Sequence, residues 1–166
     1  MINAGQSCIA AKRVIVEAGV YDDVCRELTQ RFNALELGDP SQENQCIGPI
    51  AREDLRDQLH SQVMRSIQDG AECLTGGEKP DMPGFFYPPT LLAGVTSEMA
   101  VFREETFGPV LAVCKAANLD EALVIANDTE YGLGSSIWTG SDTSAQRAAR
   151  ELNAGQVAIN GIVKTD

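Results

Sequence analysis

The later part of the chain alternates apolar patterns of two different periods, and this restricts the fold more than any other feature. After Pro109, the run Val110-Leu111-Ala112-Val113-Cys114 is continuously apolar, as in a strand buried on both faces. A helical pattern follows, carrying Ala122, Leu123, Ile125 and Ala126, with Asn118 and Glu121 ahead of it as an N-terminal capping pair. Tyr131-Gly132-Leu133-Gly134 then turns into the strand pattern Ser135–Trp138. Ser141-Asp142 can cap a second helix bearing Ala145, Ala148, Ala149 and Leu152, which Asn153-Ala154-Gly155 ends before a last strand, Val157–Asn160. Strands joined through helices of about 10 to 12 residues must lie parallel, with right-handed crossovers. The expected fold is an α/β domain with a mostly parallel sheet and helices on both faces, where reactive groups gather at strand carboxyl ends.

The earlier part fits the same scheme. Arg13–Glu17 reads as a strand, and Val20, Val24, Leu28, Phe32 and Leu35 recur at helical spacing up to the stop signal Leu37-Gly38-Asp39-Pro40. A polar loop through Gln45 precedes a second helix with Leu55, Leu59, Val63 and Ile67 along one stripe. Glu72–Thr75 is a short strand ending in Gly76-Gly77. Phe85–Leu92 is extended, but Pro88-Pro89 places it at a sheet edge or outside a ladder. Val101–Gly108 is irregular and combines carboxylates with aromatics.

Charge and cysteine usage narrow the function. Thirteen basic against 24 acidic residues give a net charge of −11 over 166 residues, which repels phosphate backbones and offers no basic patch to anionic lipid. Nucleic acid and membrane are therefore not expected partners. Five widely spaced cysteines without a C-x-x-C pair, and one histidine, His60, point to a reduced, cytoplasmic protein without a structural metal. Among the cysteines Cys8 stands out. It follows the Gly5-Gln6-Ser7 turn and precedes a strand, a place where a turn can present one side chain while the strand holds it still.

Asn3-Ala4-Gly5-Gln6-Ser7-Cys8-Ile9-Ala10 resembles the active-site cysteine motif of the aldehyde dehydrogenase superfamily. Glu104-Glu105-Thr106-Phe107-Gly108-Pro109-Val110 resembles that family's second signature, about 100 residues downstream. Leu37–Pro40, Ile47–Pro49, Gly76-Gly77, Phe86–Thr90, Ala126–Asp128, Tyr131–Leu133 and Gly155–Asn160 agree in order, so the resemblance spans the whole of residues 1–166. It implies a catalytic, cysteine-bearing domain. The nucleotide-binding domain and the oligomerisation segment would lie outside this chain, whose two ends read as cuts through a larger, homodimeric or homotetrameric protein.

The resemblance implies that Cys8 attacks an aldehyde, that NAD or NADP takes the hydride, and that water releases a carboxylic acid from the thioester. Glu105 and Phe107 match the pair that contacts the nicotinamide ribose and ring. The stretches Asn3–Gln6 and Ala51–Arg56 are most similar to bacterial succinate-semialdehyde dehydrogenases, although none of Arg13, Arg103 or Lys164 can be placed in a pocket from sequence. The family's glutamate base and asparagine oxyanion donor have no counterpart here, so the isolated chain is expected to be inactive. A CoA-acylating enzyme and a non-catalytic folding or assembly piece are the alternatives. Simpler roles are expected elsewhere. Asn3 and Gln6 shape the turn, Glu104 is a solvated neighbour or part of local electrostatics rather than a ligand, His60 lies at the surface and Trp138 is packed. Cys25, Cys46, Cys73 and Cys114 are non-catalytic. Ala10 occupies the place of a vicinal cysteine, so no redox pair forms there.

Overall fold

The computed structural model describes residues 2–41 and 47–163, and Cys46 and Lys164 lie outside them. Four strands form the main sheet in the order β1 (Arg13–Glu17), β4 (Val110–Ala116), β3 (Thr90–Ala93), β2 (Glu72–Thr75). β1 and β3 both run parallel to β4, with Ile15 opposite Cys114 and Leu91 opposite Leu111. β2 is antiparallel to β3, with an irregularity between Cys73 and Thr75.

The central strands β3 and β4 are buried along almost their whole length, which matches their uninterrupted apolar sequence. Alternation along them sorts side chains to two faces. Leu91, Ala93, Leu111 and Val113 pack with Tyr21, Cys25 and Phe32 of helix α1 (Tyr21–Asn33). Leu92, Val110, Ala112 and Cys114 pack with Leu59 and Val63 of α2 (Glu53–Gln68) and with Val101 and Phe102 of α3 (Ala100–Arg103). Ile125 of α4 (Leu119–Asn127) joins this second face. The chain is thus α/β, mostly parallel, with helices on both faces of the sheet.

Several local expectations hold and others shift. Asn118 Oδ1 accepts from the Glu121 N–H, and Glu121 Oε2 accepts from the Ala117 N–H, a reciprocal cap on α4. Ser141 caps α5 (Asp142–Glu151) through the Ser144 N–H. Helix α1 ends at Asn33, ahead of its Gly38-Asp39-Pro40 stop, because Leu37 is drawn into a parallel bridge with Ile47. Phe85–Leu92 was expected at an edge or outside a ladder, and the second holds for its prolines but not for its last residues. The prolines precede the ladder, and Thr90–Ala93 lies inside the sheet, since a proline ahead of the first paired residue costs no ladder bond.

The strands after α4 do not rejoin the main sheet. β5 (Gly134–Ile137) and β6 (Gln156–Ile159) form a separate parallel pair joined by α5. The physical reason lies in β5, whose Gly-Ser-Ser-Ile cannot supply two apolar faces to a sheet interior. Trp138, expected to be packed, is 68% exposed just beyond β5, because a two-stranded sheet offers too little apolar surface to cover an indole. Among the described residues no helix is long and apolar enough to cross a membrane.

Candidate active site

The cysteine loop is built from three successive left-handed residues, Asn3 (φ 52°), Ala4 (φ 51°) and Gly5 (φ 71°). That conformation is costly for alanine, so the loop needs external fastening. Asn3 Nδ2 donates to the Gln6 carbonyl at 3.0 Å, and the Gln6 N–H donates back to the Asn3 carbonyl at 2.9 Å. The Gln6 side chain reaches across to the loop before α2. Its Nε2 donates to the Pro49 carbonyl and its Oε1 accepts from the Ala51 N–H, at 3.2 and 2.9 Å. Both residues therefore shape the turn, as their types suggested. Ser7 and Ala10 N–H groups donate to the Gly5 and Ser7 carbonyls, closing a tight turn in which Cys8 is exposed. No described residue accepts from the Cys8 N–H, which leaves it able to bond a developing oxyanion.

Gly5 joins this loop to the second signature stretch. A Cβ added there would lie 2.2 Å from the Gly108 carbonyl oxygen and 3.2 Å from Pro109 N. Two segments a hundred residues apart in sequence are in backbone-to-backbone contact that only glycine permits. From Glu105 to Gly108 burial alternates along the chain, which turns tightly where the Gly108 N–H donates to the Thr106 carbonyl at 3.1 Å. Glu105 and Phe107 face outward, the ring 38% exposed, while Thr106 and Gly108 are buried. Glu105 and Phe107 share a cleft of about 500 Å³ with Leu55, Gln58 and Gln62 of α2 and with Tyr131. A carboxylate beside an exposed aromatic ring fits a ribose next to a flat heterocycle, so these residues suit a nicotinamide nucleotide.

Cys8 does not itself line that cleft. The link between them is Lys12, to which the sequence reading gave no role. Lys12 Nζ donates to the Gly5 carbonyl at 2.7 Å and lies 5.5 Å from the centre of the Phe107 ring. Burial holds its pKa below the ordinary lysine value, partly offset by the negative charges of Glu105 and then Cys8. The signal in the sequence was a lone cation between a nucleophile and a strand in an acidic chain.

Other candidates fall elsewhere. Of the two roles expected for Glu104, the local electrostatic one holds: both its oxygens accept from Arg65, at 2.9 Å each, and Arg65 holds its carboxyl below the usual range. Arg13 lies over the Phe102 ring at 4.6 Å and donates to the last carbonyls of α4, those of Ile125 and Ala126. Arg103 pairs with Asp128 through both nitrogens. Both arginines fasten the C-terminal end of α4 and leave the cleft without their charge. His60, expected at the surface, is half-buried with Nδ1 3.2 Å from the Tyr87 hydroxyl, because its neighbour Leu59 sits in the core. Burial pushes the Cys114 thiol up to about 11 and raises Cys25 and Cys73 as well, which keeps all three protonated at neutral pH. Among the described residues no cluster could hold a metal ion.

Comparisons with known proteins extend this picture. The aldehyde dehydrogenase family model matches residues 1–166. The chain is 47% identical over 160 residues to the NADP(+) succinate-semialdehyde dehydrogenase 1 of Mycobacterium tuberculosis H37Rv, covering 96% of this chain and 35% of that protein. It is 47% identical over 164 residues to an NAD(P)+ succinate semialdehyde dehydrogenase of Escherichia coli K12, covering 99% and 36%. The fold superimposes on the crystal structure of lactaldehyde dehydrogenase from Escherichia coli with a TM-score of 0.96 at 37% identity, covering 99% of this chain and 35% of that one. The chain thus spans about a third of the length of the relatives it matches. With the match running from the first residue to the last, the chain belongs to the aldehyde dehydrogenase family.

Proposed function

We propose that this chain is the cysteine-bearing catalytic domain of a longer NAD(P)-dependent aldehyde dehydrogenase that oxidises an aldehyde to a carboxylic acid. The observation that supports the reading most is the close approach of Gly5 to Gly108, by which the loop carrying the exposed Cys8 packs against the segment carrying Glu105 and Phe107. The Cys8 thiolate attacks the aldehyde carbon, forming a C–S bond and a thiohemiacetal oxyanion that the Cys8 N–H helps to hold. The bound nicotinamide supplies the hydride acceptor. Loss of hydride leaves a thioester on Cys8, and water cleaves it to the acid with return of the thiol. Glu105 would hold the ribose hydroxyls and Phe107 the ring of the bound dinucleotide, and Lys12 keeps the cysteine loop against that wall.

The general base and the second oxyanion donor belong to the remainder of the enzyme in this reading, together with the dinucleotide domain and the subunit contacts of a homodimer or homotetramer. The 166-residue chain by itself is then inactive. Likeness to two succinate-semialdehyde dehydrogenases supports that aldehyde as substrate, and free thiols at Cys8, Cys25, Cys73 and Cys114 accord with a cytoplasmic setting. Steady-state kinetics of the full enzyme test the reading. A preference in kcat/KM for succinate semialdehyde over propanal, with free acid as product, is expected. Equal preference removes the substrate assignment, and acyl-CoA as the product replaces hydrolysis with acyl transfer.

A further inference from the structure

The cleft wall that carries Glu105 and Phe107 is not self-supporting. The Glu105 carboxylate makes no hydrogen bond among the described residues and feels the charge of Lys12, so the path of its backbone decides where it can reach. That path is fixed from beneath by one stripe of α2, whose residues 59, 62 and 65 stand three apart and share a face. Gln62, 2% exposed, donates through Nε2 to the Glu104 carboxylate at 3.0 Å and to the Glu105 main-chain carbonyl at 3.2 Å. Arg65 grips the same carboxylate with both nitrogens. Leu59 lies so close under Gly108 that an added Cβ would meet its Cδ2 at 2.4 Å.

The geometry points to the Gln62–Glu104–Arg65 triad as a positioning device that sets the Glu105 carboxylate for the cofactor ribose. This rests on the reading of Glu105 as a ribose contact. A half-exposed ion pair such as Arg65–Glu104 adds little to stability. Its fork geometry, however, fixes the orientation of the carboxylate and hence of the peptide unit that follows it. Removing the pair therefore loosens cofactor binding while leaving the fold and the thiol chemistry in place.

The test is steady-state kinetics and thermal melting of the full-length enzyme with Arg65→Met, Glu104→Gln, the double variant and Arg65→Lys. Arg65→Met and Glu104→Gln are expected to raise the dinucleotide KM about three- to tenfold, the loss of one well-made hydrogen bond, with kcat and aldehyde KM unchanged. The double variant should be no worse than either single one, and Arg65→Lys, which keeps charge but loses the fork, should fall between. A dinucleotide KM equal to that of the unmodified enzyme, or activity falling only in step with the melting temperature, overturns the inference. Glu105→Gln separates the two levels. If it raises the dinucleotide KM while the triad variants do not, positioning alone fails; if it changes nothing, the ribose assignment and the triad's role both fail.

Discussion

Replacing Gly5 by alanine should unseat the cysteine loop, and two other glycines allow the cause to be isolated. Gly5 combines a left-handed φ of 71° with a Cβ position 2.2 Å from the Gly108 carbonyl oxygen. Gly94 has the left-handed φ, 64°, but open space around it, and Gly19 has neither constraint. A left-handed alanine costs about 1–2 kcal/mol, so Gly94→Ala reports that term alone. At Gly5 ordinary contact begins near 3.4 Å, so the loop must also retreat by about 1 Å. That displacement breaks the 2.7 Å bond from Lys12 Nζ to the Gly5 carbonyl. A charged hydrogen bond of this kind contributes about 1.5–3 kcal/mol, less here because Lys12 is only partly buried. The sum for Gly5→Ala is about 3 kcal/mol, or roughly 6–12 °C in melting temperature for a chain of this size. The gain from a stiffer unfolded chain is common to all three substitutions and cancels in comparison. Thermal melts of the three variants, with iodoacetamide labelling of Cys8, provide the assay. Gly19→Ala should melt at or slightly above the parent, Gly94→Ala should melt a few degrees below Gly19→Ala, and Gly5→Ala should melt clearly lower still and label at an altered rate. Identical melts and labelling for Gly5→Ala and Gly94→Ala would refute the close approach of the two signature stretches.

Further outcomes follow from the same structure. Burial keeps the folded-state pKa of His60 below the ordinary value near 6.5, so folding favours the neutral ring. Its contribution is present above that value and is lost as pH falls through the lower folded-state pKa; the urea midpoint should drop between pH 7 and pH 5, and His60→Gln should flatten the drop. Ser66, fully buried, accepts from the Val101 N–H at 3.0 Å and donates to the Gln62 carbonyl at 2.9 Å. Ser66→Ala leaves that N–H unpaired and should cost about 1–3 kcal/mol in denaturant unfolding. Lys12→Met should change the Cys8 labelling rate in the same direction as Gly5→Ala, since both release the Gly5 carbonyl.

The sheet and its helices were legible because their signals are local and redundant. The uninterrupted Val110–Cys114 run, the stripe Leu55–Ile67 and the caps at Asn118 and Ser141 each state one element, and each was found in place. What the alternation of strands and helices could not convey was whether a strand returns to the same sheet. That depends on how much apolar surface both its faces offer, and Gly134–Ile137 offers too little. Proline position was informative only in part: Pro88-Pro89 lies outside the ladder as read, but marks where β3 begins rather than what neighbours it has. In the site, the turn placement pointed to Cys8 and the family resemblance to Glu105 and Phe107, but the groups that fasten them were invisible. Lys12, Gln62 and Arg65 act through contacts that exist only after α2 and the cysteine loop have folded against the Glu104–Pro109 segment. Neither periodicity nor spacing reports such contacts.

The central claim, that Cys8 carries the acyl group, is tested most directly by trapping. The full enzyme is mixed with succinate semialdehyde and excess dinucleotide, quenched in acid during turnover, digested and examined by mass spectrometry. A succinyl thioester on the peptide containing Cys8, absent from a Cys8→Ala variant that has also lost turnover, is the predicted result. Turnover retained by Cys8→Ala, or an acyl group found on Cys25, Cys46, Cys73 or Cys114 instead, would contradict it.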